Sequence, residues 1–259
     1  MIKEIDGVKT HWLEAGTHGS RVLLLHGWGC DGSFMKGVAD ALRNDHRVMI
    51  PDFPAHGESG RPPEAWGVPE YSKHLLHLLK STDFIPCAVI AHSFGCRIAT
   101  WIASEYPDVF TKMIFTGAAG IRPKQTPESQ ARSMQYKKLK NHAEKLKKIP
   151  GFRGIADSFE EKLVQKYGST DYKRLDDEMR KTFVKVISQD LSDCYDKIKQ
   201  STLLIWGDQD TETPVWMGHE MENRIADCAL ITLEGGSHFA YLEQIGRFNT
   251  IAVQFLKED

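Results

Sequence analysis

Ala91-His92-Ser93-Phe94-Gly95 joins two runs of different character. The run before it, Cys87-Ala88-Val89-Ile90-Ala91, is continuously apolar, as a strand buried on both faces requires. The run after it, Cys96-Arg97-Ile98-Ala99-Thr100-Trp101-Ile102-Ala103, is helix-forming. A serine between small residues at such a junction reads as a nucleophile elbow. This is a tight strand-to-helix turn that holds a hydroxyl proud at the carboxyl end of a parallel sheet. Small residues are needed at 91 and 95 because strand and helix meet there with no room for side chains. A plain turn with a solvated serine fits the pentapeptide too. An acid and a histidine following in the right order separate the two readings.

Outward from the elbow the same alternation repeats. Arg21-Val22-Leu23-Leu24-Leu25 and Arg47-Val48-Met49-Ile50 are short apolar runs before it, and Lys112-Met113-Ile114-Phe115-Thr116 follows it. Helices are expected over 33–43 and 69–82. Strands alternating with helices from 21 to 117 predict an α/β fold, a mostly parallel twisted sheet with helices on both faces. Ile2 to Ala15 alternates around Asp6-Gly7, a hairpin signal for an antiparallel pair at the sheet edge. From 122 to 200 no buried-strand run appears. The stretch is lysine-rich and helical, with Met179, Phe183, Val186, Ile187 and Leu191 on one face. It reads as a helical cap inserted into one core domain made of 1–121 and 201–259. The sheet resumes at Ser201-Thr202-Leu203-Leu204-Ile205-Trp206 and again at Ala229-Leu230-Ile231-Thr232-Leu233, with helices expected over 216–225 and 241–256.

The 259 residues are 41% hydrophobic, enough for a sizeable core, and the net charge of −2 offers no overall surface for nucleic acid or membrane. The five cysteines (Cys30, Cys87, Cys96, Cys194 and Cys228) form no CxxC pair, and no leader pattern opens the chain. Both features fit free thiols in a reducing cytoplasm. Charge is unevenly spread. Residues 122–200 carry nineteen Lys plus Arg against twelve Asp plus Glu, a surplus of seven in a chain whose total is −2. A solvated helical face explains that balance; a landing site for an acidic acyl carrier is the alternative.

Four loops follow carboxyl ends of the parallel strands, where ligands bind in such sheets. They hold His26-Gly27-Trp28-Gly29, Ser93, Asp210 and His238. A serine hydroxyl needs a base within reach, and the base needs an orienting carboxylate. His238, in Gly235-Gly236-Ser237-His238 after the last strand, is the candidate base among eleven histidines. His26 is expected to buttress its loop, and His92 to point away. Asp210 and Asp208 are rival acids. Acyl transfer also needs donors for a developing oxyanion, and the backbone N–H groups of Phe94 and Trp28 are the candidates, with Gly27 and Gly29 letting the loop turn.

The chain resembles the α/β-hydrolase superfamily along nearly its whole length. The resemblance rests on His26-Gly27-Trp28-Gly29, Asp52-x-Pro54-x-x-Gly57-x-Ser59, the elbow, Gly207-x-x-Asp210-x-x-x-Pro214 and Gly236-x-His238-Phe239. These motifs are similar to those of the capped, esterase-like branch, which includes carboxylesterases such as the pimeloyl-acyl carrier protein methyl ester esterases, carbon–carbon bond hydrolases and haloperoxidase-type enzymes. The resemblance favours Asp210 over Asp208. It implies a carboxylesterase-like catalytic triad of Ser93, Asp210 and His238, a small-molecule ester substrate, and no metal or organic cofactor. Ser93 stands where epoxide hydrolases and haloalkane dehalogenases carry aspartate. Ala55 and Ala91 stand where the branch usually has glycine, each adding a methyl group, and Cys96 where a second glycine is frequent; packing is its expected role. Carbon–carbon hydrolysis with the same triad, and a slow-turnover ligand receptor on the same fold, are the alternatives.

Overall fold

The computed structural model describes residues 1–123 and 126–257. Among these residues eight strands form one sheet: β1 (Ile2–Ile5), β2 (Val8–Ala15), β3 (Ser20–Leu25), β4 (His46–Pro51), β5 (Cys87–His92), β6 (Phe110–Thr116), β7 (Ser201–Gly207) and β8 (Cys228–Leu233), in the spatial order β1-β2-β4-β3-β5-β6-β7-β8. β1 and β4 each pair antiparallel with β2, and every other neighbour is parallel. The β1–β2 turn is the expected hairpin: Asp6 (φ 50°) and Gly7 (φ 74°) are both left-handed, as a turn matched to strand twist requires.

The helices are α1 (Lys36–Leu42), α2 (Val68–Ser81), α3 (Phe94–Glu105), α4 (Pro127–Lys147), α5 (Arg153–Tyr167), α6 (Thr170–Arg174), α7 (Asp177–Ser188), α8 (Ser192–Tyr195), α9 (Trp216–Arg224), α10 (Ala240–Glu243) and α11 (Ile245–Lys257). Side-chain alternation along each strand builds two cores. Leu23, Leu25, Val89, Ala91, Met113, Phe115, Leu204 and Trp206 pack with α2, α3 and α9. Val22, Leu24, Ile90, Ile114, Leu203 and Ile205 pack with α1 and α11 on the other face. Burial on both sides is why these strands read as unbroken apolar runs. Two expected helices are divided. A 3-10 turn, Gly32–Met35, precedes α1, and the last helix breaks at Gln244 (φ −120°, ψ 44°).

The chain forms two compact units, one of Met1–Ile121 with Lys185–Asp259 and one of Arg122–Val184. The expected insertion ran to residue 200; instead the chain rejoins the first unit at Lys185. Buried Arg97 on α3 explains the earlier return, donating to the carbonyls of Val186 (3.3 Å) and Gln189 (2.9 Å). Gln189 Oε1 also accepts the Val68 N–H that opens α2, at 2.7 Å. In the smaller unit α4 and α5 form a hairpin, joined by Lys147 to Asp157 and Glu160 and by Lys140 to Glu160.

Candidate active site

Ser93 sits between β5 and α3 with φ 48° and ψ −105°, a conformation costly for a residue with a Cβ. The surrounding backbone holds it there. Ser93 N–H donates to the Thr116 carbonyl (3.1 Å), and the Ser93 carbonyl accepts from Cys96 N–H (3.1 Å) and Ala119 N–H (3.4 Å). Gly95 is obligatory: a Cβ there would lie 2.7 Å from Leu25 Cβ and 2.8 Å from Leu25 O. Ala91 is fully buried and its methyl is accommodated. The Cys96 thiol donates to the Ala91 carbonyl at 3.1 Å. Burial pushes that thiol far above its usual range, so Cys96 is a packing residue and not a thiolate.

His238, after β8, donates from Nδ1 to Asp210 Oδ2 at 2.8 Å, and both residues are buried. Asp210 follows β7. Its Oδ1 accepts from the N–H groups of Glu212 and Thr213, each at 2.9 Å, and its Oδ2 also accepts from Thr213 Oγ1 at 2.7 Å. Burial alone would raise the Asp210 carboxyl; the His238 hydrogen bond and charge and the Thr213 donors outweigh it and hold the group below the usual carboxylate range. Asp208, the rival acid, accepts instead from Gly235 N–H at 2.8 Å and caps the loop. Across the imidazole, Glu212 Oε2 stands 3.7 Å from His238 Nε2.

The loop after β3 lies against the elbow. A Cβ on Gly27 would come within 3.5 Å of Ser93 Cβ, and the Trp28 and Phe94 rings meet edge to face with centroids 5.2 Å apart. Gly29 takes the left-handed turn expected of it (φ 72°). Phe94 is the first residue of α3, so its N–H belongs to the helix turn that lacks intrahelical acceptors. His26 buttresses this loop: Nδ1 donates to the Gly27 carbonyl (2.8 Å) and Nε2 accepts from Phe53 N–H (3.1 Å). Burial lowers its pKa, keeping it neutral. The Asp52-x-Pro54-x-x-Gly57-x-Ser59 stretch is a clasp. Asp52 accepts from Gly32 N–H, Glu58 N–H and His11 Nδ1 (2.7, 2.9 and 2.7 Å), and Ser59 Oγ donates to the Asp52 carbonyl (2.8 Å). Ala55 in this clasp carries its methyl at φ 68°, a cost the sequence alone did not reveal.

Several further residues contribute through contacts that the sequence does not show. His92 Nε2 donates to the His238 carbonyl (3.0 Å), and its ring lies 4.8 Å from those of His238 and Tyr241. Burial first, and His238 second, lower its pKa to about 3, so it serves as a neutral strut. Gly117 and Gly207 let other segments approach: a Cβ on Gly207 would strike the Gly236 carbonyl oxygen at 2.3 Å. A glycine at or just after the end of a buried strand is a visible signal; Thr213 and Glu212 carry none, and the packing of His92 on His238 is set by the fold.

Strand-end loops that bring a strained serine, a buried His–Asp pair and a glycine loop to the same edge define a class. The chain belongs to the alpha/beta hydrolase fold family, whose model matches residues 20–244, and this membership supports hydrolysis as its activity. It is 24% identical to the 2-hydroxy-6-oxo-6-phenylhexa-2,4-dienoate hydrolase of Comamonas testosteroni, over 99% of this chain and 94% of that relative. Among solved structures it is similar to the enol-lactonase from Burkholderia xenovorans LB400 (19% identity, TM-score 0.75, all of both chains). It is also similar to the esterase EaEST from Exiguobacterium antarcticum (20% identity, TM-score 0.74, 99% of this chain and 98% of that one). Those two likenesses bear on the fold.

Proposed function

We propose that the protein is a serine hydrolase that cleaves a carboxylic ester of a small or medium acyl substrate through an acyl-enzyme. The observation that carries this reading is the 2.8 Å bond from His238 Nδ1 to Asp210 Oδ2. It fixes the imidazole tautomer whose Nε2 is free to act as base. In this reading Ser93 Oγ attacks the ester carbonyl and His238 takes its proton. The tetrahedral oxyanion is met by the backbone N–H groups of Trp28 and Phe94. His238 then protonates the departing alkoxide, and water, activated by the same nitrogen, releases the acid and restores Ser93. Asp210, held ionised by its donors, stabilises the imidazolium formed in both steps. Each residue does something only the transition state rewards, which is how such a site accelerates rather than merely binds.

The test uses p-nitrophenyl esters of graded acyl length. Ser93→Ala should abolish turnover while leaving the thermal midpoint unchanged. Asp210→Asn should lower kcat roughly 1,000- to 10,000-fold by favouring the wrong tautomer. Retained activity in Ser93→Ala would sink the reading. Carbon–carbon bond hydrolysis by the same residues is the second reading, favoured by the near full-length similarity to the dienoate hydrolase. Its products settle the choice: two carbonyl or carboxyl fragments and no alcohol.

A further inference from the structure

The turn between α4 and α5 combines two properties that rarely coincide on a solvated surface. From Lys145 to Ala156 the chain carries four cations (Lys145, Lys147, Lys148 and Arg153) and no acid. Within the same stretch Ile149, Phe152 and Ile155 are exposed to 48%, 46% and 62%. Lys147 is engaged by Asp157 and Glu160, which pins the base of the hairpin. Lys145, Lys148 and Arg153 are exposed and have no acidic partner among the described residues. Pro150 and left-handed Gly151 (φ 84°) turn the chain tightly, so the three apolar side chains fall within seven residues around one bend. Isolated exposed apolar residues need no explanation, but three within seven residues, interleaved with cations that have no acidic partner among the described residues, mark a contact surface.

We propose that this hairpin tip is an interfacial anchor for an anionic lipid surface, with Ile149, Phe152 and Ile155 entering the acyl boundary and Lys145, Lys148 and Arg153 at the headgroups. Bulky apolar groups beside cations suit that boundary because one end of the site is apolar and the other charged. Among the described residues no helix is long and apolar enough to cross a membrane, so the contact is peripheral. The whole-chain charge of −2 conceals this patch, because acids elsewhere in the chain cancel its cations. The cations alone would suit any acidic partner; the three exposed apolar side chains interleaved with them are what favour a lipid surface. The proposal stands on exposed residues of the smaller unit and is independent of the ester reading.

The test is co-sedimentation of the full chain with phosphatidylcholine vesicles, with and without 30% phosphatidylserine, across a salt series. The expected result is binding to the anionic vesicles that weakens with salt, and a blue-shifted tryptophan emission on those vesicles in Phe152→Trp that exceeds any change in the unsubstituted chain. Ile149→Ser with Ile155→Ser should weaken partitioning about tenfold or more, and Lys148→Glu with Arg153→Glu should abolish it. Both variants should keep the thermal midpoint, since none of these side chains is buried. Equal binding to neutral vesicles, no binding to either, or salt-sensitive capture of an acyl carrier protein without vesicle binding would each overturn the proposal.

Discussion

Gly117 lies against the ring of His238: a Cβ at this position would stand 3.0 Å from His238 Nδ1 and 3.1 Å from Cε1. Gly117 also has φ 51°, so it serves both the close approach and the left-handed turn after β6. Gly117→Ala should push the imidazole off Asp210. The expected outcome is a roughly 10- to 100-fold fall in kcat on the best ester substrate, since small misplacements at a reacting centre are costly. Steady-state kinetics beside a melting curve checks it. A loss of stability with full kcat in the remaining folded protein would show that the ring tolerates the methyl group.

Glu212 faces the nitrogen that the proposed reaction uses to protonate the leaving group, at 3.7 Å. Its side chain is 64% exposed, so its field is strongly screened. Esters with one acyl group and cationic, neutral or anionic alcohols should react in that order of kcat/KM. Glu212→Gln should compress the cation-to-anion ratio by about threefold at low salt and by nothing in high salt. An unchanged ratio at low salt would remove this carboxylate from the leaving-group path.

Ala55 holds a left-handed backbone conformation, φ 68°. An L-residue there costs about 1–2 kcal/mol, partly offset by the larger unfolded-state entropy of glycine. Ala55→Gly should therefore stabilise the protein by roughly 0.5–1 kcal/mol, raising the thermal midpoint by a few degrees. Calorimetry decides it, and a lower midpoint would mean that the alanine methyl makes contacts worth more than the strain.

Buried histidines make the fold acid-sensitive. Burial lowers His26 and His46, takes His56 and His74 down to about 4, and takes His92 down to about 3. Unfolded, each titrates near about 6.5. Between those values the unfolded chain binds more protons, so stability falls as pH drops below about 6.5 toward 4, by about 1.4 kcal/mol per pH unit for each of His56, His74 and His92. Asp210, whose pKa is lowered, adds its own loss only further into acid. Urea unfolding at pH 7, 6 and 5 measures the slope. His74→Gln should make it shallower by one histidine's share, and an unchanged slope would mean that His74 is charged in the folded protein.

Local sequence pattern sufficed for the sheet and for the chain order of the candidate site residues. Strands buried on both faces must be apolar along their length, and such runs end in the loops that hold Gly27, Ser93 and Asp210; the half-buried edge strand β8 leads to His238. The Asp6-Gly7 hairpin was equally legible, because its turn has a local chemical requirement. Tertiary structure decided what depends on neighbours distant in sequence. The family resemblance favours Asp210 over Asp208 without a physical reason; the approach of the loops after β7 and β8 supplies one, giving Oδ2 of Asp210 to His238 and Asp208 to Gly235. The strut from His92, the donors of Thr213 and the bare face of Gly117 follow from the same convergence. The insertion ends at 184 rather than 200 because Arg97, nearly ninety residues earlier, captures the carbonyls of Val186 and Gln189. Periodicity reports how one segment buries its own side chains. It carries no information about which remote backbone group will satisfy them.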